Sequence, residues 1–208
     1  DETYLFNLRQ EGLVLLYRLL FVFYAEDREL LPVQDERYRE YGLRKIRDQV
    51  ADHFDTKKPF GERISRLYDT LKSLFAAIDG GDSSLGLPPY NGGLFATAPL
   101  LDRSPLPDAK FAPLLDGLSR LHTADKGPRR INYRDLSVQQ LGSIYEGLLE
   151  HWPRVNEHGA LVLELNKFAR KNTGSYYTPE AIVRLTLQRA VGTLIDERRN
   201  AFFQQAET

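Results

Sequence analysis

The chain is most apolar at Leu13-Val14-Leu15-Leu16-Tyr17-Arg18-Leu19-Leu20-Phe21-Val22-Phe23-Tyr24-Ala25, where a single charge interrupts the hydrophobic run. A helix that is apolar on nearly every side is buried, so this stretch predicts the centre of a helical bundle. A membrane span needs roughly 20 consecutive apolar residues, and charged residues follow this run at once. We therefore predict a core helix from about Leu8 to Leu30, ending before Pro32, and no membrane partner.

Helical spacing of apolar residues continues further along the chain. It predicts one helix over Leu43–Phe54 and a second from Ile64 to Ile78. Gly80-Gly81 is expected to end the second helix through a left-handed C-terminal cap. A further short helix is expected at about Ala112–His122.

The last two predicted helices have clear start signals. Ser137 and Gln140 have the spacing of a capping box, which predicts a helix that ends at Trp152-Pro153. Thr178-Pro179-Glu180 has the pattern of an N-cap residue, a first-turn proline and a first-turn acid. We expect the helix that follows it to reach about Asp196.

Residues 79–113 are rich in glycine and proline, above all around Pro88-Pro89-Tyr90-Asn91-Gly92-Gly93. This composition predicts an ordered loop without regular structure, anchored by apolar residues such as Phe95. Leu161–Leu165 is short and rich in residues that favour strands, which allows one arm of a small hairpin. The predicted fold class is therefore mainly α, a bundle-like helical domain with a small β-hairpin.

The composition is typical of a soluble globular protein. Hydrophobic residues make up 42% and charged residues 27% of the chain, which excludes a disordered protein. Cysteine does not occur, which excludes thiolate metal sites and fits a reducing, cytoplasmic location. The formal net charge of −1 gives no overall attraction for nucleic acid, so such binding would need a local patch. Since the sequence begins at Asp1 and lacks methionine, we expect both ends to be cut.

Several familiar catalytic and metal-binding patterns do not occur in the sequence. The 4 histidines lack a ligand spacing such as His-x-x-x-His, and the Glu-x-Lys pair of a metal-dependent nuclease is missing. No Gly-x-Gly-x-x-Gly loop or similar phosphate-binding motif is present. We therefore predict no metal ligands and no catalytic residues in this chain.

Basic residues cluster at two places, each just before a predicted helix start: Lys126, Arg129, Arg130 and Arg134, then Lys167, Arg170 and Lys171. Such clusters, with aromatic residues nearby, can contact the phosphate groups of nucleic acid. Ordinary solvated charge is the alternative, and the sequence alone leaves both interpretations open.

The segment from Arg170 to Pro179 has the sequence Arg-Lys-Asn-Thr-Gly-Ser-Tyr-Tyr-Thr-Pro and is followed by Ala181-Ile182-Val183. It resembles the start of the methyltransferase domain in adenine-specific DNA methylases of restriction–modification systems, above all the fused type IIG enzymes and related phage-defence methylases. Three upstream stretches resemble the same proteins in order and spacing: Tyr17–Phe21 with Glu26-Asp27, then Tyr90–Phe95, then Leu141–Glu150. The resemblance covers almost the whole chain.

In that family the Gly-x-Tyr-Tyr-Thr-Pro turn lies against the methionine portion of the cofactor S-adenosyl-L-methionine (AdoMet). The resemblance therefore implies cofactor binding by Gly174, Tyr176, Tyr177, Thr178 and Pro179. Free N–H groups at a helix start can bind an anionic group such as the AdoMet carboxylate. Either tyrosine can wall the pocket or pack on the core. The structural alternative is a well-capped helix with two core tyrosines.

The resemblance also implies a domain organisation. Residues 1–165 would form a helical domain with the irregular loop at about 79–113, and residues 166–208 the incomplete start of a Rossmann-like methyltransferase domain. The intact protein would include a C-terminal catalytic domain and would methylate adenine in double-stranded DNA. The chain alone is expected neither to methylate DNA nor to bind AdoMet well. A non-catalytic helical interaction or specificity module is the alternative function.

Pro88-Pro89-Tyr90 is similar to part of the Asp/Asn/Ser-Pro-Pro-aromatic tetrad with which such methylases hold the flipped target base. The first position of the tetrad is Leu87 in this chain, and leucine has no acceptor for the amino group of a base. We therefore expect a structural turn at this position.

Overall fold

A computed structural model describes residues 2–90, 92–123, 125–165 and 178–206 of the chain. The described chain is mainly helical with two small antiparallel hairpins, which confirms the predicted fold class at this level. Its helices are α1 (Glu2–Asp27), α2 (Glu36–Arg39), α3 (Leu43–Asp55), α4 (Arg66–Gly80), α5 (Pro99–Arg103), α6 (Asp108–Ser119), α7 (Val138–Leu149), α8 (Glu180–Leu187) and α9 (Thr193–Ala206). The hairpins pair β1 (Arg120–Thr123) with β2 (Gly127–Arg130), and β3 (His151–Val155) with β4 (Leu161–Leu165). None of the helices in these ranges has the length and apolar character needed to cross a membrane.

The chain divides into two compact units. One comprises Asp1–Leu136 and Pro153–Leu163, and the other comprises Ser137–Trp152 and Glu164–Thr208. The second unit therefore groups α7 with α8 and α9, whereas the sequence assigned the helix after Ser137 to the helical domain of residues 1–165.

Helix α1 lies at the centre of the first unit. Leu19, Val22 and Phe23 are each 0% exposed, and the helix contacts both α3 and α5. Burial of each large apolar side chain contributes roughly 1.5–3 kcal/mol to stability, so the prediction of a core helix is confirmed. The helix begins at Glu2 and ends at Asp27, so both predicted ends, Leu8 and Leu30, lie too late in the chain.

Helix α4 buries the apolar face that its periodicity predicts, from Tyr68 to Ile78. Ile64, which the sequence places in the same helix, lies before it and is 56% exposed. The predicted left-handed cap is wrong, because Gly81 has a φ of 77° with an extended ψ of 153°. A Cβ at Gly81 would lie 2.9 Å from the ring of Pro89, so the backbone approaches closely there and glycine is required.

Helix α3 receives its N-terminal cap from α1. Gly42 precedes α3 and has no side chain to cap it. The carboxylate of Glu26 instead accepts the peptide N–H groups of Leu43 at 2.6 Å and Arg44 at 2.8 Å, and the Tyr38 hydroxyl at 2.9 Å. Burial raises the pKa of Glu26, and the hydrogen bond from Tyr38 acts against that rise. One buried side chain thus satisfies two free donors of α3 and joins α3 to α1.

Helices α4 and α5 are capped in the same way. Asp108 of α6 accepts the peptide N–H of Leu67 at 2.9 Å, and Glu11 of α1 accepts that of Leu101 at 2.8 Å. The residue in the N-cap position contributes no side-chain hydrogen bond in either helix. In each of these two helices, one peptide N–H of the first turn is therefore satisfied by a carboxylate from another helix.

Asp27 connects the end of α1 to two further segments. Its Oδ1 atom lies 3.0 Å from Nη2 of Arg47 in α3, and its Oδ2 atom accepts the peptide N–H of Tyr133 at 3.0 Å. The Tyr133 ring stacks on Phe23 with centroids 5.0 Å apart, and burial raises the pKa of Tyr133 to about 12. The segment after β2 is thus held against α1.

Residues 79–113 contain more regular structure than the sequence predicts. A 3₁₀ turn spans Ser83–Leu85, and α5 follows at Pro99–Arg103. Helix α6 begins at Asp108 and ends at Ser119, so the predicted helix at Ala112–His122 is placed too late. His122 lies in β1 instead.

The sequence does not predict the β1–β2 hairpin. Each strand has 4 residues, the residues do not alternate between apolar and polar, and Pro128 lies in β2. These features remove the usual strand signals. The other hairpin, which contains β4 at Leu161–Leu165, is the one that the sequence allowed.

The second unit confirms one predicted helix start and corrects another. The capping box before α7 is present, with Ser137 Oγ accepting the N–H of Gln140 at 3.1 Å and the Gln140 side chain accepting that of Ser137 at 2.8 Å. Helix α8 has Pro179, with φ −53° and ψ 138°, in the N-cap position and no side-chain cap, so the predicted Thr178 cap is wrong. A π-helical turn at Gln188–Gly192 joins α8 to α9, which extends past the predicted end.

Replacing Gly42→Ala should lower the free energy of unfolding by about 1–3 kcal/mol. The new Cβ would lie 2.8 Å from Oε1 of Glu26 and 2.9 Å from Cε1 of Tyr38, so the cap on α3 must shift. In the control Gly12→Ala, the new Cβ has no neighbour within 4 Å. Because alanine favours helix, this control should gain about 0.5–1 kcal/mol. Urea denaturation measures both changes, and effects of the same sign would contradict the prediction.

Replacing Glu26→Gln should lower the free energy of unfolding by about 1–3 kcal/mol. Three hydrogen-bond donors contact the Glu26 carboxylate. The variant replaces one of its two acceptor oxygens with an NH₂ group, which is itself a donor. The control is Glu36→Gln, whose side chain is 85% exposed and which should change stability by less than about 0.5 kcal/mol. An unchanged urea midpoint for the Glu26 variant would show that α3 does not depend on this cap.

Candidate nucleic-acid and cofactor interface

Arg18 joins the first two stretches that carry the resemblance. Its Nε donates to the carbonyl oxygen of Leu94 at 2.8 Å, and its Nη2 donates to that of Ala96. The guanidinium lies 6.0 Å from the ring centroid of Phe95, and burial lowers the pKa of Arg18. The loop that contains Tyr90–Phe95 is therefore held against α1 by a buried cation, and Phe95 is buried as the sequence predicts.

The Pro88-Pro89-Tyr90 turn belongs to the same part of the structure. The Tyr90 hydroxyl donates to the carbonyl oxygen of Leu30 at 2.8 Å, and its peptide N–H donates to that of Ile78 at 2.9 Å. Leu87 is buried in the core. These contacts agree with a structural turn rather than a site for a base.

The first predicted basic cluster separates into two kinds of residue. Arg134 is bound to the end of α1, with Nε donating to the Asp27 carbonyl at 3.0 Å and Nη2 lying 3.3 Å from Glu29 Oε1. Arg130 forms an ion pair with Asp48 of α3. Burial lowers the pKa of Arg130, and the charge of a neighbouring arginine in α3 lowers it further. These two arginines therefore hold the segments around β2 in place.

The other two members of the cluster face solvent. Arg129 lies on β2 and Lys126 lies in the turn before it, and both are exposed. Neither forms an ion pair with another described residue. These two side chains can therefore contact a ligand without first breaking a contact within the protein.

A buried carboxylate anchors the hairpin to α6. Asp116 accepts Nε of Arg120 at 2.6 Å and lies 2.7 Å from Nε2 of His122. Arg120 also donates to Asp55 of α3 at 2.7 Å. Burial alone would lower the pKa of Arg120, but its hydrogen bonds to the two aspartates raise that pKa above the ordinary value. The network fixes β1 against two helices.

Most of the predicted cofactor segment and all of the second basic cluster lie outside the described residues: Gly174, Tyr176 and Tyr177, then Lys167, Arg170 and Lys171. Thr178 and Pro179 are described, and both are exposed directly before α8. Peptide N–H groups at a helix start suit a carboxylate as ligand. The one acidic residue of this turn, Glu180, pairs with Arg184 at 2.6 Å. In this turn the peptide N–H groups of Ile182 and Val183 already donate to the carbonyl oxygen of Pro179, at 2.9 and 3.1 Å, which leaves the N–H groups before them as the ones that could face a ligand.

The histidines make structural contacts. The ring of His53 stacks on Phe60 with centroids 4.9 Å apart, and His151 Nδ1 lies 3.0 Å from the carbonyl oxygen of Gly147. Across the described ranges, no group of three or more His, Cys, Asp or Glu side chains could hold a metal ion.

Sequence reasoning missed the Asp116 network. Asp116 and Arg120 have the i, i+4 spacing of a helical ion pair, which is a usable signal. The helix predicted to reach His122 would have made this pair an ordinary surface pair. Only the strand that begins at Arg120 turns it into a buried anchor.

The chain matches no protein-family model, no curated protein and no solved structure.

Replacing Asp116→Asn should lower the free energy of unfolding by about 3 kcal/mol, because it leaves a buried guanidinium incompletely paired. The side chains of Asp116 and Arg120 are each only 9% exposed. The matched control is Asp48→Asn, since the Asp48 side chain is 59% exposed and an exposed pair contributes about 0–1 kcal/mol. Urea denaturation compares the two, and losses of equal size would contradict the anchoring role of Asp116.

Proposed function

We propose that this chain is part of an adenine-specific, AdoMet-dependent DNA methyltransferase of a restriction–modification or phage-defence system. The observation that carries the proposal is the presence of four motif-like stretches in the order and spacing of such enzymes, ending in Gly174-Ser175-Tyr176-Tyr177-Thr178-Pro179. One short motif would be weak support, but four in order are far more specific.

The packing of these stretches supports the proposal. The first and second are joined by Arg18 and by the edge contact of Phe21 with Phe95, whose centroids are 5.5 Å apart. The third stretch forms most of α7, and of the fourth stretch only Thr178 and Pro179 lie within the described residues, directly before α8. The first two stretches, which are distant in sequence, are thus packed together, as parts of one functional structure would be.

Each part of the chain has a role in this proposal. AdoMet, when bound, would supply the activated methyl group. The N–H groups at the start of α8 would orient its carboxylate, and Tyr176 or Tyr177 would shield it from water. Helix α8 would be the first helix of a Rossmann-like domain, and the helical unit would brace that domain. Double-stranded DNA in the cytoplasm would be the substrate, with phosphate contacts from exposed cations such as Lys126 and Arg129.

A second candidate function has an observation in its favour. Apolar side chains are exposed along the whole of α8 and α9: Ile182, Val183, Leu185, Leu187, Val191, Leu194, Ile195, Phe202 and Phe203. Such a patch is typical of an interaction surface, as a non-catalytic interaction or specificity module would need. The reading frame of the gene distinguishes the two, because only the methyltransferase requires a Gly-rich AdoMet motif and an Asp/Asn-Pro-Pro-Tyr tetrad.

The proposal predicts that the complete gene product forms N6-methyladenine in duplex DNA from AdoMet. In that protein, Tyr176→Ala and Tyr177→Ala should be tested separately, and at least one should raise the KM for AdoMet at least tenfold, a loss of about 1.4 kcal/mol of binding. The control is Tyr4→Ala, which removes a tyrosine that is 54% exposed in the first unit. Mass spectrometry that detects no methyladenine with wild-type protein would refute the proposal. Normal KM values in both variants would refute the cofactor assignment.

The 208-residue chain alone should show no saturable AdoMet binding in calorimetry, since it contains neither of those two motifs. Saturable binding would show that the described helices and residues 166–177 suffice for the cofactor.

A further inference from the structure

The β1–β2 hairpin has two chemically different faces. In its register Arg120 is opposite Arg130, and Leu121 is opposite Arg129. Cross-strand partners project from the same face of a sheet, and successive residues project from opposite faces. One face therefore carries Arg120, Arg130 and His122, and the outer face carries Leu121 and Arg129.

Ion pairs fix the inner face. Two arginines directly opposite each other repel, and each is compensated by an aspartate from a different helix. Arg120 binds Asp116 at 2.6 Å, and Arg130 pairs with Asp48 of α3. The hairpin is therefore attached to both α6 and α3, and its orientation is set by charged contacts rather than by an apolar core.

The outer face has no such attachment. Leu121 is 57% exposed, and Arg129 beside it is exposed without an ion-pair partner among the described residues. Lys126 lies in the turn directly before Gly127, which adopts a φ of 66°, and it is exposed as well. Asp125 is the one acidic residue next to Lys126 in the chain and is also exposed.

We infer that the two exposed cations of this hairpin, Arg129 on its outer face and Lys126 in its turn, bind the phosphate backbone of double-stranded DNA. The inference rests on the proposed function and names the surface that would contact the substrate. A two-stranded ribbon fits the major groove of B-DNA, and most protein–DNA hydrogen bonds go to phosphate and sugar. A net charge of −1 gives no overall attraction, so a rigidly held local pair of cations is the kind of surface that is needed.

The test is fluorescence anisotropy of the 208-residue chain with a labelled duplex, repeated across a range of salt concentrations. The double variant Lys126→Ala/Arg129→Ala should reduce the slope of log K against log salt by about 0.9 for each lost phosphate contact. Its affinity near 0.1 M salt should fall by at least roughly tenfold. Asp125→Asn should bind DNA more tightly than wild type, because it removes a negative charge from the same surface.

Two controls separate a specific effect from a change of net charge or of folding. Arg39→Ala/Lys72→Ala removes one exposed and one half-buried cation from α2 and α4, each paired with an acid on its own helix, and should keep the wild-type slope. Thermal unfolding of Lys126→Ala/Arg129→Ala should match wild type, because neither side chain forms an ion pair with the part of the chain that the structure describes.

The possible outcomes either support or overturn the inference. Absence of duplex binding by wild type at low salt, a wild-type slope in Lys126→Ala/Arg129→Ala, or equal losses in the two double variants would overturn it. Displacement of DNA by polyglutamate at equal charge concentration would overturn it in favour of an acidic protein partner. If DNA binding depends on the hairpin but the complete gene product forms no methyladenine, only the methyltransferase proposal is refuted. If the complete gene product methylates DNA but Lys126→Ala/Arg129→Ala keeps the wild-type salt slope, only the hairpin inference is refuted.

Discussion

The first unit depends on helix starts that are capped by carboxylates from other helices. Glu26 caps α3, Asp108 caps α4 and Glu11 caps α5. A helix leaves its first peptide N–H groups without partners within the helix, and burying such groups without an acceptor costs about 1–3 kcal/mol each. In this protein, one or two of those groups in each of these helices are bound by a carboxylate of α1 or α6. The helices are therefore stabilised as a set, and the order in which they pack is built into their capping.

The helices that the sequence predicts best are those whose apolar residues recur at helical spacing. α1, α3 and α4 were all foreseeable from that spacing, with errors confined to their ends. The capping partners were not foreseeable in the same way. Two acidic residues directly after an apolar run, as at Glu26-Asp27, usually indicate that the helix end faces solvent. Glu26 is nevertheless 0% exposed. Its burial depends on donors at Tyr38, Leu43 and Arg44, which local sequence does not reveal.

The candidate DNA surface shows the same limit. As a sequence, Lys126, Arg129, Arg130 and Arg134 form one basic cluster. A strand sends Arg129 and Arg130 to opposite faces, so one becomes a potential ligand contact and the other pairs with Asp48 of α3. The sequence does not show which arginine takes which role, because that depends on the hairpin. The hairpin in turn depends on aspartates in α3 and α6 rather than on a pattern within residues 120–130. The resemblance to the methylases indicates the cofactor turn, but it does not show which basic residues face a ligand and which form ion pairs within the protein.

The contacts at the end of α1 also differ in how far along the chain they reach. Glu26 bonds to a residue 17 positions away, whereas Asp27 bonds to Tyr133, which is 106 positions away. Closing a longer loop costs more chain entropy, and contacts of large sequence separation form slowly. We therefore expect α1 and α3 to associate early during folding and the segment around Tyr133 to join last.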